Sequence, residues 1–223
     1  MSTILLTAVK CYNKPLMKTH IVFDLDDTIT NSYQFNQQMF VDTFVPHVKN
    51  LATHEAYLRD LHFKSKGTPM HIQFKTAMDY MGVDADPARL IKENEVMHLN
   101  NIEKVDVFEA THELLDLLKK KGKVLILCSN RGQGSLKKVL ERHKLFEYFD
   151  DIISCADACH EKPSPHCLLE LVQKYNVPKE NFLCVGDSKT DVEFATAAGI
   201  DFIIIDQYMN QKKFFKMLVE TFF

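Results

Sequence analysis

The sequence predicts an α/β protein: a parallel sheet with helices on both faces, carrying a small all-helical insertion after its first strand. Three features point to this. Five short apolar runs, at 20–25, 123–128, 151–155, 181–185 and 201–205, have the length and composition of buried parallel strands. Helical patterns separate the last four runs. The first two runs are set far apart, with Asp24 and Ser129 separated by 105 positions, whereas one strand–helix–strand unit needs only about 30 residues.

Taken in order, the first strand is HIVFDL, and the stretch before it is read as an N-terminal extension over 1–18. Its apolar run is short, has no basic segment before it and no small-residue cleavage site, so no signal peptide is expected. Residues 32–103 contain no good strand, and Phe35, Met39, Phe40, Phe44, Val48 and Leu51 follow helical spacing. Pro46 is expected to kink or split that first helix. Asp86-Pro87 reads as an N-cap followed by proline at the first helical position. Residues 32–104 are therefore expected to form a helical cap on a core made of 19–31 and 105–223. In that core, helices are predicted at 109–121, closed by Gly122, then at 134–143, 165–175 and 190–198, the last closed by Gly199. This is the Rossmann-like α/β class, whose functional sites lie outside the carboxyl ends of the strands.

Composition narrows the function classes. With 27 Lys+Arg against 30 Asp+Glu the formal charge is −3, which argues against a globally basic nucleic-acid binder. No apolar run approaches the roughly 20 residues that span a bilayer. The six cysteines, at 11, 128, 155, 159, 167 and 184, form no CxxC pair, and a reduced, cytoplasmic setting is expected. A monomer is favoured only slightly, and no nucleic-acid or membrane partner is expected.

Four features fall at predicted strand ends. Asp24-Leu25-Asp26-Asp27-Thr28 follows the first strand, and Ser129-Asn130 closes the second. Lys162 sits in Glu161-Lys162-Pro163-Ser164-Pro165, where prolines restrict the loop. Gly186-Asp187-Ser188-Lys189-Thr190-Asp191 follows the fourth strand, with Asp187 and Asp191 four residues apart at a helix start. Parallel strands bring these ends to one edge, where carboxylates 24, 26, 187 and 191 crowd together. Such a cluster needs compensation, and a hard divalent cation such as Mg²⁺ supplies it. Together with the ammonium of Lys162 and the hydroxyl of Ser129, this makes a phosphoryl-binding site with a carboxylate as candidate nucleophile.

In that constellation the chain resembles the haloacid dehalogenase (HAD) superfamily, particularly phosphatases with a helical cap after the first motif, over about residues 19–206. The resemblance implies that Asp24 attacks phosphorus and forms an aspartyl-phosphate. It implies that Asp26 protonates the leaving oxygen and then activates water. Mg²⁺ would be held by Asp24, the backbone carbonyl of Asp26 and Asp187, with Asp191 steadying its waters. Ser129 and the Asn130 amide would grip phosphoryl oxygens, Lys162 would neutralise nucleophile and phosphate, and Thr28 would orient the first loop. The implied activity is hydrolysis of a small phosphorylated metabolite. A sugar-phosphate mutase, a phosphonate hydrolase and a non-catalytic phospho-ligand binding module are the alternatives. Asp26 speaks against the phosphonate reading, because dehalogenases proper and phosphonate-cleaving relatives lack an aspartate there. Asp27 stands where many relatives have glycine, Asn31 where many have aspartate, and Val107–Ala110 replaces a common Pro-Gly turn.

Other residues get plainer readings. Lys64 and Lys66, in the predicted cap loop 63–69, either contact an anionic substrate or are solvated. Arg131, just past Ser129-Asn130, is placed to touch substrate, but a surface arginine at a helix start is the preferred reading. Cys155, Cys159, His160, His166 and Cys167 match no standard zinc spacing. Residues 208–223 are expected to form a final amphipathic helix.

Overall fold

The computed structural model describes residues 18–158, 160–205, 216 and 218–220. The N-terminal extension up to residue 17, Cys159 and most of the expected C-terminal helix lie outside these residues. Leu218, which is described, is buried with Ile205 in the core.

In chain order the elements are β1 (His20–Phe23), β2 (Thr30–Asn31), α1 (Tyr33–Thr43), α2 (Glu55–Lys64), α3 (Met70–Met81), α4 (Pro87–Asn100), β3 (Asp106–Val107), α5 (Thr111–Lys120), β4 (Val124–Ser129), α6 (Gln133–Arg142), β5 (Asp151–Ser154), α7 (His166–Tyr175), β6 (Phe182–Gly186), α8 (Lys189–Ala198) and β7 (Asp201–Ile204). The main sheet runs β5-β4-β1-β6-β7 with every neighbouring pair parallel. After β1 the chain builds β4 and β5 on one side, then crosses to β6 and β7 on the other. The strand order therefore switches at β1, where a doubly wound sheet opens a crevice for ligands.

Side-chain alternation explains the two layers. Ile21 and Phe23 of β1, with Leu125 and Leu127 of β4 and Leu183 and Val185 of β6, pack against Leu114, Leu115 and Leu118 of α5 and Leu136, Val139 and Leu140 of α6. Val22, Ile126, Cys128 and Cys184 point the other way, onto Leu168 and Leu171 of α7 and Phe194 and Ala195 of α8. Cys128, Cys155, Cys167 and Cys184 are free and buried, filling the role of small apolar side chains.

The helices between β2 and β3 have a cluster of their own. Phe40 of α1, Phe44 just past its end, Leu58 of α2, Phe74 of α3 and Leu90 of α4 are fully buried there. Phe40 lies 5.6 Å from Phe44 and 5.2 Å from Phe74 between ring centroids. Phe35 and Met39, on the same helix as Phe40, instead join the core under the sheet. So α1 belongs to both bodies. It ends at Thr43, three residues before Pro46, and the helical pattern is split there because proline disfavours helical backbone before it. Asp86 caps α4 as expected, its carboxylate accepting the Ala88 N–H at 2.9 Å.

The antiparallel pair β2–β3, with Thr30 opposite Val107 and Asn31 opposite Asp106, was not expected. Two residues per strand are too few to leave an alternation in the sequence. The pair ties the chain's entry into the insertion to its exit. Replacing Phe74 by alanine is expected to cost about 3–5 kcal/mol, the usual loss for a buried aromatic, measured by urea denaturation of both proteins.

Candidate active site

The carboxyl ends of β1, β4 and β6 are adjacent, so Asp24, Ser129 and Asp187 come from three neighbouring strands. Asp24 still donates its N–H to Val185 at 2.9 Å, which fixes it to the sheet edge. The chain then turns sharply, the carbonyl of Leu25 accepting from the N–H groups of Thr28, Ile29 and Thr30. Asp27 takes a left-handed backbone, φ +61°. That conformation favours glycine, and aspartate is one of the few side chains that tolerate it. Its Oδ1 accepts the N–H of Ser32 at 3.1 Å, locking the turn. Thr28 is fully buried, but its hydroxyl makes no hydrogen bond to protein. The loop is held by Asp27 with Ser32, and by Thr30, whose Oγ1 donates to the Leu25 carbonyl at 3.1 Å.

Lys162 bridges two carboxylates, with Nζ 2.8 Å from both Asp24 Oδ1 and Asp191 Oδ1. Its backbone is clamped by Asn130, whose Oδ1 accepts the Lys162 N–H at 2.8 Å and whose Nδ2 donates to the Lys162 carbonyl at 3.1 Å. The Asn130 side chain is thus used to place Lys162. Asp191 is set by a capping box at the start of α8, its Oδ2 accepting the Ser188 N–H at 3.1 Å while Ser188 Oγ accepts the Asp191 N–H at 3.2 Å. Glycine is required at 186, since a Cβ there would stand 2.5 Å from Asp191 Cγ. Asp24, Asp187 and Asp191 each offer a carboxylate oxygen within 4.8 Å of the others.

Two residues behave differently from the simplest expectation. Arg131 is no surface arginine: it is 9% exposed, and its guanidinium grips Asp26 with Nε 3.0 Å from Oδ2 and Nη2 2.6 Å from Oδ1. Its backbone N–H also donates to Ser129 Oγ at 3.1 Å. Lys66 reaches in from the loop between α2 and α3 and pairs with Asp27 Oδ2 at 2.9 Å and with Asp187. Gly67 beside it has φ +76° and packs so tightly that a Cβ would stand 2.6 Å from Ser188 Oγ. Lys64 stays at the surface, paired with Asp60.

Charge counting explains the proton affinities. Asp24, Asp26, Asp27, Asp187 and Asp191 are five carboxylates facing three cations, Lys66, Arg131 and Lys162, a balance of −2. Burial pushes Asp24 well above the usual carboxylate range, with Asp191, Asp187 and Asp26 adding to it against Lys162. Burial also pushes Asp187 up to about 7, opposed by Lys66. Burial would raise Asp26 too, but Arg131 and hydrogen bonds from Arg131, Asn36 and Ser32 outweigh it and hold Asp26 far below its ordinary value. Two carboxylates two residues apart therefore hold protons very differently, because Arg131 compensates one and Lys162 does not fully compensate the other. A deficit of two positive charges and an all-oxygen donor set of Asp24, Asp187 and Asp191 fit a hard divalent cation. A cavity of about 640 Å³ opens over these groups.

Residues 21–205 match the family model described as haloacid dehalogenase-like hydrolase. The chain belongs to that family. It is similar to the pyrophosphatase PpaX of Bacillus cereus (strain Q1), 26% identical over 179 residues, which cover 80% of this chain and 79% of that protein. It is also similar to a phosphoglycolate phosphatase of Aliivibrio fischeri, 27% identical over 143 residues, 62% of this chain and 63% of that one. The crystal structure of a haloacid dehalogenase-like hydrolase from Bacteroides fragilis shares the fold, with a TM-score of 0.70 at 23% identity, covering 89% of this chain and 92% of that chain.

Within this haloacid dehalogenase-like frame, several site residues escape sequence reading because they come from the insertion. Asn36 donates Nδ2 to Asp26 Oδ1 at 3.0 Å and accepts from Arg131 Nη2 at 2.8 Å. His98 is buried behind it, its Nδ1 2.9 Å from the Asn94 carbonyl. An asparagine and a histidine 62 positions apart, on different helices, carry no local motif.

His98 also sets a pH response. Burial, with the charge of Arg131, pushes it down from 6.5 to about 4, and burial does the same to His62. Between those values the unfolded chain binds protons that the folded chain does not. Stability should therefore fall as pH drops from 6.5 to 4, by up to about 3 kcal/mol per histidine, with no contribution above 6.5. Denaturation midpoints across this window should show a shallower slope for His98→Gln than for the parent. An unchanged slope would contradict the buried neutral state of His98.

Proposed function

We propose that this chain is a Mg²⁺-dependent phosphatase that hydrolyses a small phosphorylated metabolite through an aspartyl-phosphate at Asp24. The observation that carries this reading is the pairing of Asp24 with Lys162 at 2.8 Å, beside the carboxylate oxygens of Asp187 and Asp191. The phosphatase names of the two curated relatives support it.

In this reading the phosphoryl group is received by Ser129 Oγ, the backbone N–H of Asn130 and the Lys162 ammonium. Asp24 attacks phosphorus with one carboxylate oxygen as the bond to the leaving oxygen breaks, and Asp26 gives the leaving oxygen a proton. Asp26 then takes a proton from water, whose oxygen attacks phosphorus and breaks the bond to Asp24, releasing inorganic phosphate. The grip of Arg131 keeps Asp26 ionised, as the second half requires, so that pair has to loosen for the first half. Mg²⁺ would be held by the carboxylates of Asp24 and Asp187 and the backbone carbonyl of Asp26, with Asp191 steadying its waters. When bound it supplies positive charge against the carboxylate cluster and the phosphoryl oxygens. Thr28 would orient the first loop, its N–H donating to the Leu25 carbonyl at 3.3 Å.

Residues 32–104 act here as a cap over a core of 19–31 and 105–223, bringing Lys66 and Asn36 to the reacting carboxylates. The free thiols at 128, 155, 167 and 184 support a reducing, cytoplasmic setting. Among the described residues no helix is long and apolar enough to cross a membrane.

Phosphate release from p-nitrophenyl phosphate tests the reading. The parent should turn over with Mg²⁺ and stop with EDTA, and Asp24→Asn should lose roughly 1,000-fold or more in kcat. Turnover that survives Asp24→Asn would overturn the assignment of the nucleophile.

A further inference from the structure

Lys66 belongs to the insertion, yet its ammonium stands on two carboxylates of the core. Nζ lies 2.9 Å from Asp27 Oδ2 and pairs as well with Asp187 Oδ2. Both carboxylates are buried, whereas the lysine side chain keeps some contact with solvent. The loop that carries it is seated beside the same acid. A Cβ on Gly67 would stand 2.6 Å from the Oγ of Ser188, the residue after Asp187, and 2.9 Å from Thr190 Cβ. The Gly67 carbonyl also accepts from Asn130 Nδ2 at 3.4 Å. The loop backbone is thus fixed against the core, and only the flexible lysine stem has to turn for the ammonium to leave Asp187.

Asp187 has a second use. With Asp24 and Asp191 it forms the cluster of carboxylate oxygens, within 4.8 Å of one another, that suits a hard divalent cation. Asp27 lies outside that cluster. An ammonium and a divalent cation on one buried carboxylate repel each other, and buried charges are screened little. Asp27 therefore offers the ammonium a partner that the cluster does not use. Lys162 has no such alternative, because both of its ion-pair partners, Asp24 and Asp191, belong to the cluster.

We propose that Lys66 is a tethered competitor for the metal: its ammonium gives up Asp187 and keeps Asp27 when a divalent cation binds. This rests on the Mg²⁺ reading above. The competition runs both ways, as linkage requires. The ammonium weakens metal binding, and metal binding breaks one of the ion pairs that tie the insertion to the core. Loading of the site is thereby felt in the loop between α2 and α3.

Calorimetric titration with Mg²⁺, on protein stripped with EDTA and desalted, measures the competition without substrate. Lys66→Met keeps an apolar stem and removes the charge, and should bind Mg²⁺ about 10-fold more tightly than the parent, a usual size for coupled sites. Lys66→Arg keeps the charge and should bind no more tightly than the parent. Lys64→Met removes a charge that is paired with Asp60 at the surface. It should stay within about 2-fold of the parent, because exposed charges are screened. Equal or weaker binding by Lys66→Met, or a tightening as large in Lys66→Arg or Lys64→Met, overturns the inference.

If Lys66→Met does not fold, the parent still decides. The ¹⁵N resonance of the Lys66 ammonium, assigned by its absence from Lys66→Arg, should fade as Mg²⁺ is added, because an ammonium held by fewer carboxylates exchanges its protons with water faster. A resonance that keeps full intensity at saturating Mg²⁺ overturns the inference too. The two failures differ in the calorimeter. No heat of binding in the parent and in Lys66→Met alike overturns the metal reading together with the competition. Binding in the parent that Lys66→Met does not tighten removes the competition alone.

Discussion

Like-charge repulsion at the carboxyl edge of the sheet is the constraint on which the rest of this structure depends. Five aspartates converge where β1, β4 and β6 end, and no arrangement of that many buried carboxylates is stable without positive charge close by. The chain supplies it from three separate places. Lys162 comes from the loop between β5 and α7, Arg131 from the end of β4, and Lys66 from the loop between α2 and α3. Each cation has its own carboxylate partners. This division is why neighbouring aspartates differ so widely in proton affinity.

Much of the surrounding structure serves to hold those cations in place. Lysine has a flexible stem, and a useful ion pair needs its backbone fixed. The Asn130 side chain does this for Lys162 with two hydrogen bonds across the sheet edge. Packing Lys162 over the Phe194 ring, 5.5 Å from its centroid, takes the stem out of water. For Arg131, Asn36 bridges guanidinium and carboxylate at once. Gly67 and Gly186 mark where backbone and side chain come too close for a Cβ, so both loops approach the site only because those positions are glycine.

The insertion therefore contributes residues to the cavity over these carboxylates. Lys66 pairs with Asp27 and Asp187, Asn36 holds Asp26, and Glu95 caps α6. All three contacts are polar and span the two bodies, whereas the apolar cluster of Phe40, Phe44, Leu58, Phe74 and Leu90 stays within the helices of the insertion. Polar contacts across a cavity can exchange for ligand groups of the same charge at little cost. An apolar cluster can only be opened at the loss of its burial.

How much was legible beforehand follows from the range of each interaction. Sequence alone carried the α/β class, the helical insertion, the cap of α4 at Asp86 and the acidic residues at the strand ends, because these depend on local periodicity, caps and strand-end position. It also carried Lys162, since flanking prolines mark a rigid loop. It did not carry the β2–β3 pair, which is too short to show a pattern, nor the burial of Arg131, which read as a helix-start surface residue. Asn36, His98 and Glu95 were likewise invisible, each being an ordinary polar residue on a helix until folding sets it against a partner far along the chain. Periodicity and turn chemistry are properties of neighbours in sequence. The pairing of charges, and with it the proton affinity of each aspartate, is decided only when the strands and the insertion close on one another, because electrostatic energy depends on distance through space and on the water removed.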